Sequence, residues 1–124
     1  IAAAYLGASQ AIGVEADDES LPFAVANAVR NGVSDKAVFL EGDAAQLTPL
    51  LAPADVIVSN ILRLINVALP PEIHEALAPG GVVIFSGMEY SEAELFRTPL
   101  LAAGFRIREE LLDENWWAVV AEPA

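Results

Sequence analysis

Short apolar runs alternate along this chain with segments of helical period, and that alternation limits the fold more than any other feature. "QAIGVEAD" from Gln10, "KAVFLEGDA" from Lys36, "ADVIVSN" from Ala54 and "VVIFSG" from Val82 are each the right length for a strand buried on both faces. After the first run, "DDESLPFAVANAVRNGV" sets Leu21, Ala24, Val25, Ala28 and Val29 at helical spacing. Acidic residues fall in its expected first turn, Pro22 lies where a missing N–H costs little, and Asn31-Gly32 is a stop signal. From Asn60 to Ala78 a helical region is expected, broken or kinked at Pro70-Pro71 and restarting through "PEIHEAL". "APGG" then reads as a turn into the fourth strand. "SEAELFRTPLLAAGF" predicts a helix perturbed by Pro99 and ended by Gly104. "FRIREELLD" and "NWWAVVAEP" predict a closing antiparallel hairpin. The pattern implies an α/β fold in a single domain: a mostly parallel sheet, helices on both faces, and a terminal antiparallel hairpin.

Composition narrows the function classes. The 124 residues are 55% apolar and lack cysteine, so the chain is expected to pack a core without disulfides or thiolate metal sites. A reducing, cytoplasmic setting follows as the expectation. His74 is the only histidine, which excludes a His-based metal cluster or a Ser-His-Asp triad within the chain. Eighteen acidic residues against six basic ones give a net charge of −12, which repels phosphate backbones and argues against direct nucleic-acid contact. No run reaches the roughly 20 apolar residues a bilayer span needs. The opening "IAAAYLGAS" reads as a helix cut midway and not as a signal peptide.

In a parallel α/β sheet the carboxyl ends of the strands hold ligands, and here they carry Glu15, Asp43 and Asn60. Glu15 is either a carboxylate accepting both hydroxyls of a ribose or a solvated strand-end acid. Asp43 is either an acceptor for an exocyclic amino group, such as that of adenine, or the head of an Asx-turn. Asn60 either terminates its strand or holds an amine by accepting its N–H, leaving the nitrogen lone pair free to attack. Asp17 and Asp18 read as helix caps, His74 as an exposed helix residue, and one of Trp116 and Trp117 as core with the other at the surface.

The runs "IAAAYLGASQAIGVEAD", "NAVRNGV", "SNIL", "LAPGGVVIFSGM", "AAGF" and "WWAVV" together resemble the class I S-adenosylmethionine-dependent methyltransferases, and among them the PrmA family of ribosomal protein L-eleven methyltransferases. "LAPGG" alone is common to many methyltransferases; "NIL" followed by "LAPGG" and "SGM" is much more specific. The resemblance implies a Rossmann-like methyltransferase sheet with S-adenosylmethionine as cofactor. Glu15 and Ala16 would lie on its ribose, Asp43 and Ala44 on its adenine side, and Asn60 between cofactor and acceptor amine. It further implies metal-free, in-line methyl transfer to a lysine or terminal amine of a basic ribosomal protein. The family places a central strand and glycine-rich turn before "IAAAYLGAS", so the chain is expected to be a carboxyl-terminal fragment, inactive by itself. Glu15 replaces a more usual Asp, and "NILRLIN" departs from the small residue and proline common after "NIL".

Three other readings compete. A small-molecule or nucleic-acid-base methyltransferase would share the fold, but base-acting relatives usually carry an Asn or Asp followed by two prolines and an aromatic at the position of "NIL", so Ile61 and Leu62 count against it. A nicotinamide-dependent dehydrogenase shares the sheet logic without the "LAPGG" strand and terminal hairpin. A non-catalytic remnant is the last.

Overall fold

A computed structural model describes residues 1–124, which divide into two compact units, Ile1–Leu47 and Thr48–Ala124. The first contains α1 (Ala2–Tyr5), β1 (Ala11–Glu15), α2 (Leu21–Arg30), β2 (Ala37–Glu41) and α3 (Ala44–Leu47). β1 and β2 pair in parallel, in register from Ala11 opposite Ala37 to Glu15 opposite Glu41. Pro22 sits in the first turn of α2 as expected, but no acidic residue does. Asp17 instead closes the preceding turn, accepting the Glu19 N–H at 3.0 Å and the Ser20 hydroxyl at 2.8 Å, because a short carboxylate satisfies nearby backbone donors before the helix begins.

The stop signal after α2 works through a Schellman arrangement. Gly32 (φ +66°) donates to the Val29 carbonyl and Val33 to that of Ala28, both at 3.0 Å. Val33 then packs with Ala28, Ala4 and Ala37 in a core of small side chains, bordered by Ile1, Ala11 and Phe39. The apolar stripe predicted for α2 is only partly used: Ala28 is buried, whereas Val25 and Val29 are exposed.

The second unit begins with a 3-10 turn (Thr48–Leu51) and β3 (Ala54–Asn60). α4 (Arg63–Asn66), α5 (Pro70–Ala76), β4 (Leu77–Glu89), a second 3-10 turn (Tyr90–Glu92) and α6 (Ala93–Ala102) follow, and β5 (Phe105–Asp113) and β6 (Trp116–Pro123) close the chain. The sheet order is β3-β4-β6-β5, with β3 parallel to β4 and β6 antiparallel to both of its neighbours. The hairpin therefore contributes the one strand of reversed direction, as the sequence predicts.

Two local expectations change, and the break expected at Pro70-Pro71 holds, with the helix restarting there as α5. "APGG" does not precede β4, since Leu77 already pairs with Ala54; residues 78–81 leave the ladder and pairing resumes at Val56 opposite Val82. Pro79 has no N–H to give a ladder, which suits it to that excursion. Pro70 and Pro71 start α5, where first-turn N–H groups are unsatisfied anyway. α6 runs on through Pro99. Phe96 and Leu100, both fully buried on either side of the proline, offset the roughly 3 kcal/mol that an interior proline costs.

On one sheet face, Val83, Phe85, Val119 and Ala121 are buried. There α6 lays Phe96 edge-on between Phe85, 4.9 Å away between ring centroids, and Trp117, 6.1 Å away. The other face departs from the expectation of helices on both sides: Val56 and Val58 are 56% and 62% exposed. Trp117 is core and Trp116 surface, and His74 is exposed, as expected. No helix is long and apolar enough to cross a membrane.

Candidate functional site

In the first unit the carboxyl edge of the β1–β2 ladder collects four of the expected residues. The Glu15 carbonyl accepts the Gly42 N–H at 2.9 Å, tying the end of β1 to the turn after β2. The exposed Glu15 side chain takes the Asp17 N–H on Oε1 at 3.0 Å, which orients its carboxylate across the strand end, with Ala16 in the intervening bend. Asp43 accepts the Ala45 N–H on Oδ1 at 2.8 Å and opens α3, so the Asx-type turn forms; Asp43 is nonetheless exposed, with Ala44 next to it. Two solvent-facing carboxylates at one strand edge, each already oriented by a backbone N–H, are an acceptor set suited to hydroxyl and amino groups and not to anions.

In the second unit Asn60 ends β3 opposite Ser86 of β4, and it is exposed. The chain turns away at once through Ile61 and Leu62 into α4. Gly87, next along β4, has φ +79°, and a Cβ there would stand 2.7 Å from the Ile61 carbonyl and 2.8 Å from Asn60 Oδ1. Only glycine lets β4 pass this close beneath the asparagine amide. Below them lies fully buried Asn66. Its Oδ1 accepts the Ser59 hydroxyl at 2.6 Å, and its Nδ2 donates to the Ile61 and Ser86 carbonyls, each at 3.0 Å. Reversing the amide would aim its oxygen at two carbonyls, so the network has one orientation.

Asn60 also borders an open cleft of about 850 Å³, walled by Ile65, Leu112, Trp116 and Trp117, with Asp113 the one ionisable residue in its lining. Trp117 is anchored from behind by its indole N–H, which donates to Glu110 Oε2 at 2.9 Å. Arg97 grips the same carboxylate with two hydrogen bonds, at 2.8 and 2.6 Å, and these hold the Glu110 carboxyl below its ordinary value of 4.5. Arg63, which follows β3, is tied to Glu92 at 3.1 Å.

Sequence reasoning missed Ser59 and Asn66. The available signal was a lone asparagine in the apolar run "LINVALPP", a residue that is buried only when its amide is satisfied.

The fold is that of the class I methyltransferases. An RNA methyltransferase from Salinibacter ruber, solved with S-adenosyl-L-homocysteine, superposes with TM-score 0.72 at 22% identity over 95% of this chain and 68% of its own. The chain belongs to the PrmA family: the family model described as Ribosomal protein L11 methyltransferase (PrmA) matches residues 1–123. A ribosomal protein L11 methyltransferase of Thermus thermophilus is 41% identical over 116 residues, covering 94% of this chain and 44% of the relative. One from Pelotomaculum thermopropionicum is 38% identical over 98% of this chain and 39% of its own length. The crystal structure of a ribosomal protein L11 methylase from Lactobacillus delbrueckii subsp. bulgaricus superposes with TM-score 0.86 at 28% identity, over 95% of this chain and 60% of that one. This chain thus spans about two fifths of the length of these curated relatives.

Proposed function

We propose that residues 1–124 form part of the catalytic domain of an S-adenosylmethionine-dependent N-methyltransferase that acts on amino groups of a ribosomal protein. The observation that carries the reading is the family match over residues 1–123, in which every strand-end residue singled out above falls inside the matched span. Glu15 would accept the ribose hydroxyls, with Ala16 beside it, and Asp43 with Ala44 would meet the exocyclic amine of adenine. The carboxylates exposed at the edge of β1 and β2 fit these roles. When bound, the cofactor supplies a methyl group on a sulfonium. Asn60 would accept an N–H of the acceptor amine through Oδ1, aim the nitrogen lone pair, and stabilise positive charge developing on that nitrogen. The net charge of −12 would steer a basic substrate inward.

Calorimetric titration of S-adenosylmethionine provides the test. It is run on this chain and on a chimera in which the chain replaces the matching segment of the Thermus thermophilus relative. The chimera is expected to bind, and Glu15→Ala is expected to weaken binding by about 10- to 100-fold through loss of a charge-assisted hydrogen bond. A folded chimera that binds nothing, or that binds equally well without Glu15, would overturn the assignment.

A further inference from the structure

We propose that Asn66, together with Ser59, is a positioning residue that clamps the ends of β3 and β4 together beneath Asn60 and so fixes where the Asn60 amide stands. The proposal rests on the methyltransferase reading for its consequence, although not for its geometry. Asn60 and Ser86 are the last pair of the β3–β4 ladder. Beyond that pair no ladder bond holds the two chains in line, yet this is where an amide would have to be held to within a fraction of an ångström. Asn66 supplies the missing link by donating one N–H to the residue after Asn60 and the other to the residue opposite it. Ser59 removes the remaining freedom by occupying the amide oxygen at 2.6 Å.

The clamp has little slack. At Gly87 there is no room for even a Cβ against the Ile61 carbonyl and Asn60 Oδ1, so a shift of the strand ends toward one another would press on the Asn60 side chain. Every polar atom of the Asn66 amide is engaged and the residue is wholly buried, so in the folded state the linkage has no solvent-bonded alternative. Asn66 reaches neither the cleft nor a reacting atom; it acts through Asn60.

The first arm of the test reads geometry in this chain by nuclear magnetic resonance of the asparagine side-chain amides. The Asn66 amide hydrogens are expected to exchange at least about 100-fold more slowly than those of exposed Asn60. Ser59→Ala is expected to increase the nanosecond motion of the Asn60 amide, and Ser59→Thr, which keeps the hydroxyl, to restore it. A residue that merely supports the fold would lower the melting temperature on truncation and leave the Asn60 amide unchanged, and that result would overturn the proposal.

The second arm measures methyl transfer in the chimera, with the same substitutions. Ser59→Ala is expected to lower kcat by about 10- to 100-fold with KM for acceptor and cofactor within about twofold, since misplacement of an orienting group affects the transition state more than binding. Equal losses in kcat/KM through KM alone would count against the clamp. If the unsubstituted chimera folds but transfers no methyl group, the methyltransferase reading fails, while the amide measurements still decide the clamp.

Discussion

The two units hold their structure by different means. In Ile1–Leu47 each side-chain hydrogen bond joins residues two to four apart, and the core is three alanines and a valine. In Thr48–Ala124 such bonds reach across as many as 29 residues, and Trp117, Phe85, Phe96, Met88, Ile73 and Leu100 are fully buried. A two-stranded sheet offers few positions enclosed on several sides, so α2 leaves Val25 and Val29 exposed, and the first unit depends on turns and caps. The four-stranded sheet encloses aromatic side chains between strands and α6, and the second unit depends on packing. Local chemistry can therefore specify a unit's shape where packing alone contributes little stability.

Removing packing from the second unit should have the largest effect. Phe96→Ala is expected to cost about 3–5 kcal/mol in urea denaturation followed at the tryptophans, because it opens a cavity between Phe85 and Trp117. A loss below about 1 kcal/mol would erase the contrast between the units. In the first unit the corresponding weak point is a turn: Gly32→Ala, at φ +66°, is expected to cost about 1–2 kcal/mol. Hydrogen exchange should show that loss in the amides of β1, α2 and β2 and leave those of β4 and β6 protected.

A smaller effect separates the units by pH. Because hydrogen bonds from Arg97 depress the Glu110 carboxyl below 4.5, its contribution is fully present above that value and is lost as pH falls through the lower folded value. The melting temperature of the second unit should thus fall below about pH 4.5, and Glu110→Gln should flatten that acid limb; an unchanged limb would show that the pair adds nothing. The smallest effect is expected on the open sheet face, where Val56→Thr and Val58→Thr should each change the stability of this chain by less than about 0.5 kcal/mol.

What the sequence revealed follows the same division between local and distant causes. The strand positions, the end of α2, the start of α5 and the closing hairpin were legible because caps, prolines and periodicity act within a few residues. Glu15, Asp43 and Asn60 were legible as strand-end residues for the same reason. The passage of α6 through Pro99 was not, because burial of Phe96 and Leu100 decides it. Nor was the role of Asn66, whose partners at Ser59, Ile61 and Ser86 meet only once β3 and β4 have paired. The openness of Val25 and Val29 was hidden too, since periodicity marks a face as apolar without saying what covers it.

The four residues that leave the ladder between Leu77 and Val82 also give the chain a point of entry for engineering. Strand pairing is already complete on either side of them, and Pro79 and Gly80 at their tip are exposed. A protease recognition sequence or a fluorescent reporter spliced between those two residues should leave the β3–β4 register intact. The second unit could then be cut or followed optically from a position outside both the cleft beside Asn60 and the aromatic core.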